Sequence, residues 1–211
     1  MLTNQLLGYP DDARLLLINA DDFGMCHAVN EAIFGTLTQG MVRSTTLMVP
    51  CPWALHAMQL LAAHPEIAFG VHLTAICDSD HYKWRPLTWR EKVPSLVDEA
   101  GYFYTFARMP EFLAQVSLAE LELEFRAQIE AVLAAGLKPT HLDWHALRID
   151  ARVDIFHVML RLAQEYGLAL RVRGRVQIEH VQSQRLPCND YDFLDSYLLD
   201  PVDKSARYAQ L

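Results

Sequence analysis

"LLLINADDFG", Leu15 to Gly24, decides the fold class, because it joins an apolar run to two adjacent aspartates and a glycine. Apolar runs of about four to eight residues that end at a turn signal are typical of strands buried on both faces, as in parallel sheets. We therefore predict a buried first strand that brings Asp21 and Asp22 to its C-terminal end. Ligands of α/β sheets and barrels bind at this end of the strands.

The adjacent carboxylates of Asp21 and Asp22 repel each other unless a cation, an array of donors or a shared proton compensates the charge. A metal ion is one such cation. The alternative interpretation is structural, namely a turn followed by a helix N-cap. The next helical pattern begins several residues later, at His27, which favours the metal.

Composition excludes several classes of function. The chain has 211 residues, 52% of them hydrophobic and 21% charged, which predicts a single domain over residues 1–211. Its net charge of −8, without a basic cluster, argues against a nucleic-acid partner. There is no apolar run of about 20 residues and no signal-peptide pattern, so we expect a cytoplasmic protein with no membrane partner.

Strand and helix patterns alternate from the first strand to about Arg173, which predicts parallel strands joined by helical crossovers. "SLAELELEFRAQIEAVLAAG" is the clearest helix, with Ser117 as N-cap, Glu120 in a capping box and Gly136 at its end. A closed α/β barrel typically needs about 250 residues. The chain is short for that, so either the barrel is open or part of the protein is missing.

A second polar stretch, "HLDWH", lies at the end of the predicted fourth strand. Alternation places His141, Asp143 and His145 on one face. His72 ends the third strand in the same way. Each histidine alone has an ordinary structural explanation, but together with the aspartates of the first strand they predict a metal site, because borderline metals accept mixed carboxylate and imidazole ligands.

Four motifs in their order and spacing resemble the YdjC-like family, the ChbG/HpnK carbohydrate deacetylases. They are "INADDFG", "GMVRSTTLMVP", "GVHLT" and "KPTHLDWH", and the resemblance covers about residues 14–173. It implies a TIM-like (β/α) barrel, distorted or incomplete, with parallel strands. It also implies a hydrolase that removes acetyl groups from N-acetylated sugars with a divalent metal ion, Mg²⁺ or Zn²⁺.

Matched by motif position, Asp22, His72 and His145 correspond to the metal ligands of the family, and Asp21 corresponds to the general base. Asp143 would then orient an imidazole. His141 either faces the site or packs beside it.

The chain departs from the family pattern in two places. Trp144, Leu147 and Ile149 stand where many members have serine and further histidines. The His-Pro motif of the family, whose histidine resembles a general acid, is absent as well. We therefore expect the general acid beyond residue 211, in a C-terminal part that this chain lacks.

Two other functions stay open from the sequence: a metal hydrolase of another bond, such as a phosphoester, and a non-catalytic sugar- or metal-binding protein. The expected partner is a small carbohydrate, and a homo-oligomer is compatible with the sequence. The aromatic-rich segment from Cys77 to about Pro110 is predicted to be either a platform for the sugar or a lid packed on itself or on a neighbouring subunit.

Overall fold

Five parallel strands form the central sheet of the computed structural model, which describes residues 3–13, 15–149, 152–192 and 199–208. In chain order the strands are β1 (Asn19–Phe23), β2 (Ser44–Leu47), β3 (Ala68–Leu73), β4 (Ile76–Cys77), β5 (Tyr104–Thr105), β6 (His141–Trp144) and β7 (Ala169–Leu170). The helices are α1 (Thr3–Leu6), α2 (His27–Gln39), α3 (Ala54–Ala63), α4 (Met109–Gln115), α5 (Leu118–Ala134), α6 (Val153–Tyr166), α7 (Arg175–Ser183) and α8 (Pro201–Tyr208).

The order of the central strands is β1-β2-β3-β6-β7, so neighbours in the sheet follow one another along the chain. This sequential order is typical of (β/α) barrels, whereas doubly wound sheets reverse direction at a switch point. The predicted class, a TIM-like (β/α) barrel, distorted or incomplete, with parallel strands, is confirmed. Within the described residues no helix has the length and apolar character needed to cross a membrane.

The predicted first strand is wrong in its bounds. β1 begins at Asn19, and the aspartates lie inside it instead of after it. Leu15, Leu16 and Leu17 precede the strand and are 47%, 78% and 68% exposed. The physical reason is the place of β1 at the end of the sheet order, where it pairs with β2 on one side, so the leucines before it lack the cover that a central strand would have.

Helix α5 is confirmed, but its predicted capping box is wrong. Ser117 makes no side-chain cap hydrogen bond. Glu120 instead accepts a hydrogen bond from the backbone N–H of Ser95 at 2.8 Å. The carboxylate of Glu120 therefore bonds the short 3₁₀ turn Pro94–Leu96 and not, as the sequence pattern had predicted, the N-terminus of its own helix.

Buried polar side chains of α5 fasten the long segment between β4 and β5. Glu124 accepts hydrogen bonds from the backbone N–H groups of Leu87 at 3.0 Å and Thr88 at 2.9 Å. Gln128 bonds both the N–H and the carbonyl of Thr74, just after β3. Burial raises the pKa of Glu124. This helix thus holds the loop over the C-terminal end of the sheet.

The core beneath the site is apolar and closely packed. Strand residues in it include Phe23, Leu47, Val71 and Leu142, all fully buried. Full burial of each such side chain contributes about 1.5–3 kcal/mol. The sheet is thereby held as a rigid base for the side chains at its upper edge.

The end of the chain is described in part. Helix α8 agrees with the helical pattern expected for "PVDKSARYAQL", of which the last three residues lie outside the described residues. No element was predicted for "LPCNDYDFLDSYLLD"; in it Cys188 forms a parallel bridge with Leu170, and residues 193–198 lie outside the described residues.

A substitution at Gly70 tests the packing between β3 and β6. Gly70 faces His141 in the strand register, and a Cβ added to Gly70 would lie 2.6 Å from both the imidazole and the carbonyl oxygen of His141. We expect Gly70→Ala to lower the free energy of unfolding by about 1–3 kcal/mol, measured by urea denaturation.

Gly35→Ala is the matched control, because Gly35 lies within α2 and an added Cβ meets nothing within 4 Å. It should raise the free energy of unfolding by about 0.5–1 kcal/mol. Equal effects of the two substitutions would contradict the described packing.

Candidate metal centre

A β-bulge turns both aspartates of β1 toward one site. Ala20 pairs with Thr45 and Phe23 with Leu47, so β1 has one more residue than β2 in this interval. Asp22 takes a positive φ of 72°. Adjacent strand residues normally point to opposite faces, whereas a bulge re-aims a side chain. Aspartate is among the few non-glycine residues that adopt this conformation readily.

Gly24 completes the turn that follows the bulge. Its φ is +96°, and an added Cβ would lie 3.1 Å from the Met48 carbonyl oxygen and from the Ala54 Cα. A side chain would therefore be strained here as well as crowded. This geometry explains the "DDFG" sequence. The side chains of the two aspartates point to the site, and the glycine adopts the positive φ that the following turn requires.

Asp22, His72 and His145 meet at the C-terminal end of the sheet. The Oδ1 atom of Asp22 lies 3.3 Å from Nε2 of His72 and 3.1 Å from Nδ1 of His145. Ligand atoms about 2.0–2.2 Å from a common metal ion are separated by about 2.9–3.5 Å. These three residues form a group that could hold a metal ion.

The hydrogen bonds around the imidazoles fit a cation at this point. Nδ1–H of His72 donates to Oδ1 of Asp143 at 2.6 Å, and Nε2–H of His145 donates to Oδ1 of Asp78 at 2.8 Å. A neutral imidazole has one N–H. The nitrogens that face Asp22 therefore present lone pairs when both rings are neutral, and three electron-rich atoms converge.

The pKa shifts of Asp22, His72 and His145 also indicate that this site favours positive charge. Burial would raise the pKa of Asp22, but its hydrogen bonds with His145 and His72 lower it below the usual range. Burial would lower the pKa of His72, yet the carboxylates of Asp143 and Asp22 raise it. The pKa of His145 is raised through Asp22 and Asp78 in spite of burial. A metal ion would have to displace these protons.

Arg171 connects Asp21, the predicted base, to Asp143, which bonds the predicted ligand His72. Its guanidinium donates to both carboxylate oxygens of Asp21, at 2.9 and 2.8 Å. Nη2 also lies 2.7 Å from Oδ2 of Asp143. Asp143 is buried and holds His72, so Arg171 connects Asp21 to the triad through one buried carboxylate.

Two further donors, one from β1 itself and one from the neighbouring β2, also hold Asp21. Its Oδ1 atom accepts hydrogen bonds from Asn19 at 2.6 Å and from Thr46 of β2 at 3.2 Å. The side chain of Asp21 is 38% exposed. The carboxylate of Asp21 is therefore firmly positioned and partly accessible to solvent.

The structure brings together the four residues singled out from the sequence, whereas their chemical roles stay predictions. His141 packs against Gly70 and contacts Thr140 through Nδ1, on the lower part of the same face. Sequence reasoning missed Arg171 and Asp78. Their only signal is position: Arg171 directly follows β7, and Asp78 directly follows β4.

The aromatic residues from β4 to β5 range from buried through partly buried to exposed. Trp84, Phe103 and Tyr104 are buried, and the Trp84 ring packs against His145. Trp89 is 77% exposed and lines a groove of about 370 Å³ together with Arg85. The buried group agrees with a packed lid, and the exposed group leaves a surface on which a sugar could stack.

The sequence profile described as YdjC-like protein matches residues 15–209. A protein of Geobacillus stearothermophilus named carbohydrate deacetylase is 36% identical over 184 residues, which are 87% of this chain and 68% of the relative. An Enterococcus faecalis protein of the same name is 39% identical over 163 residues, 77% of this chain and 60% of the relative.

A third relative, named chitooligosaccharide deacetylase, comes from Yersinia enterocolitica and is 32% identical over 75% of this chain and 59% of its own length. The chain thus spans 59–68% of these three relatives. A crystal structure from Enterococcus faecalis, provisionally described as that of a cellobiose-phosphate cleavage protein, has a TM-score of 0.73 and 35% identity. The similarity covers 86% of this chain and 70% of that one.

Replacing the buried Asp143 tests the network as a function of pH. The pKa of Asp143 is lowered to about 2, because Arg171 and His72 outweigh the effect of burial. A lowered pKa stabilises the fold above the unfolded value near 3.8, and this stability is lost as the pH falls toward 2. In chelator, Asp143→Asn should cost about 2 kcal/mol at pH 7 and about half of that at pH 3.

Urea denaturation at pH 7, 5 and 3 measures this difference. Asp154→Asn is the control, since Asp154 pairs with Arg152 at a largely exposed site and should change the free energy of unfolding by less than about 1 kcal/mol. A cost of Asp143→Asn that stays constant over this pH range would contradict the network.

Proposed function

This chain belongs to the YdjC-like protein family, and from that premise we propose that it is a metal-dependent deacetylase of an N-acetylated sugar or oligosaccharide. The observation that carries the proposal is the convergence of Asp22, His72 and His145 beside the positioned carboxylate of Asp21. The names of the relatives support the same reaction and a carbohydrate substrate.

Asp22, His72 and His145 would hold the divalent ion, through Oδ1, Nε2 and Nδ1 respectively. Two imidazoles and a carboxylate are a donor set that suits Zn²⁺ better than Mg²⁺, which prefers oxygen ligands. When bound, such an ion lowers the pKa of a water molecule and polarises a carbonyl group. Three protein ligands leave positions open for water and substrate.

Asp21 is proposed as the general base. Its Oδ1 atom accepts hydrogen bonds from Asn19, Thr46 and Arg171, whereas Oδ2 accepts one from Arg171 and so keeps more acceptor capacity. Oδ2 would accept the proton of the water that attacks the acetamide carbon. As the C–N bond breaks, the proton taken up by Asp21 would pass to the amine nitrogen, so that acetate and a free amino sugar result.

Arg171 would keep Asp21 in place during this step. A bidentate guanidinium fixes both the position and the plane of a carboxylate. Since the same guanidinium contacts Asp143, the base and the imidazole of His72 are held in one frame. Proton transfer in a fixed geometry is worth roughly 10²–10⁴-fold in rate.

Phosphoester hydrolysis is kept as a second candidate, because the structural neighbour is provisionally described as a cellobiose-phosphate cleavage protein, a description that names a phosphorylated sugar but not the bond that is broken. A phosphorylated disaccharide therefore belongs in the same substrate panel. Release of phosphate in place of acetate would favour this second candidate.

Metal removal tests the reaction class. Purified protein treated with a chelator should release no acetate from N-acetylated mono- and oligosaccharides, and one equivalent of Zn²⁺ or Mg²⁺ per chain should restore release. Acetate is measured by a coupled enzymatic assay. Acetate release that is the same in chelator would contradict metal dependence, and metal binding without any product would favour the non-catalytic alternative.

Asp21→Asn tests the proposed base. The amide has nearly the same shape but cannot take up the proton, so kcat should fall by about 10²–10⁴-fold. Because Asp21 is not among the three proposed ligands, the dissociation constant for Zn²⁺ should change only a few-fold, as measured by calorimetry. Unchanged kcat would overturn the role of Asp21, and a lost metal site would reassign it as a ligand.

A further inference from the structure

Asp78 makes a direct contact with one of the proposed metal ligands. Its Oδ1 atom lies 2.8 Å from Nε2 of His145, while Nδ1 of the same ring lies 3.1 Å from Asp22. His145 is buried, and the side chain of Asp78 is 45% exposed. Asp78 therefore contacts the ring from its solvent side, opposite the centre of the triad.

Both nitrogens of His145 face a carboxylate, Nε2 that of Asp78 and Nδ1 that of Asp22, so the contact with Asp78 alone does not set the tautomer. A cation held by Asp22 would require the lone pair on Nδ1. The proton of the neutral ring is then on Nε2, where Asp78 accepts it. The ring of His72 is used in the opposite sense: Asp143 takes the proton on Nδ1, and Nε2 faces Asp22.

The two imidazoles thus have equivalent supports from different parts of the chain. Asp143 comes from β6 and Asp78 from the residue after β4. In metal sites the nitrogen that does not bind the metal usually donates to a carboxylate or a carbonyl, which fixes the ring and its tautomer. Because Asp78 sits on the far nitrogen of His145, it is not placed to be a ligand itself.

Trp84 limits the orientations that the imidazole ring of His145 can adopt. Its indole lies 5.8 Å from the imidazole of His145 between centroids, at an interplanar angle of 69°. The indole N–H donates to the carbonyl of Ile76 at 3.1 Å, which anchors the Trp84 side chain to β4. His145 is consequently held between an aromatic face and two carboxylates.

We propose that Asp78 is a positioning residue that holds the Nδ1 lone pair of His145 on the metal position shared with Asp22 and His72. The proposal rests on the metal site of the proposed function, but it concerns metal affinity and ring geometry, not the acetyl group.

Zinc affinity tests this role. Calorimetry on the chelator-treated full chain should show that Asp78→Ala weakens Zn²⁺ binding by about 10–100-fold. Asp78→Asn keeps an oxygen acceptor for Nε2–H and should lose less affinity than Asp78→Ala. Asp80→Asn is the matched control: Asp80 lies on the same loop, 69% exposed and 3.6 Å from Lys83, and its loss should leave zinc affinity within about two-fold.

Nitrogen-15 NMR of the histidine side chains supplies a readout that altered folding alone would not reproduce. In the zinc-loaded protein the signals of His145, assigned with a His145→Gln variant, should show a protonated Nε2 and a zinc-bound Nδ1. In Asp78→Ala this tautomer should be less populated. Equal zinc affinity of Asp78→Ala and Asp80→Asn, or a zinc-bound Nε2 in the unaltered protein, would overturn the proposal.

The experiments distinguish failure of the proposed deacetylation from failure of the proposed role of Asp78. Protein that binds zinc and depends on Asp78 but releases no acetate would support the positioning role and contradict deacetylation. Protein that binds no zinc would overturn the metal site and, with it, the role of Asp78.

Discussion

Excess negative charge at the C-terminal end of the sheet is the constraint on which the site depends. Asp21, Asp22, Asp78 and Asp143 approach one another through His72, His145 and Arg171. Four carboxylates and one guanidinium leave three negative charges while the imidazoles are neutral. Protons on His72 and His145, whose pKa values are raised, remove part of this charge, and a divalent cation bound by Asp22 and the neutral imidazoles would remove most of it.

The geometry of this cluster depends on the backbone of β1. In a regular strand Asp21 and Asp22 would point to opposite faces. The extra residue of the bulge and the positive φ of Asp22 place one carboxylate on the imidazoles and the other on Arg171. Residues in such conformations occur often where a ligand is bound, because surrounding contacts compensate the local strain.

Much of the fold could be predicted from the sequence, because the helices and most strands have strong hydrophobic periodicity. The bounds of β1 could not, since the exposure of Leu15 to Leu17 depends on where β1 lies in the sheet. The grouping of Asp22, His72 and His145 could be predicted because all three lie toward the C-terminal ends of parallel strands of one sheet, and the family resemblance singled them out as ligands. Arg171 and Asp78 could not, since their partners lie 150 and 67 residues away along the chain and no local pattern marks them.

The most direct test is a crystal structure of the protein grown with Zn²⁺, with data collected at the zinc absorption edge to locate the ion by anomalous scattering. The account predicts one zinc peak bonded to Oδ1 of Asp22, Nε2 of His72 and Nδ1 of His145, with Asp21 outside the coordination sphere and still paired with Arg171. Zinc bound elsewhere, or zinc at this point with Asp21 among its ligands, would contradict it.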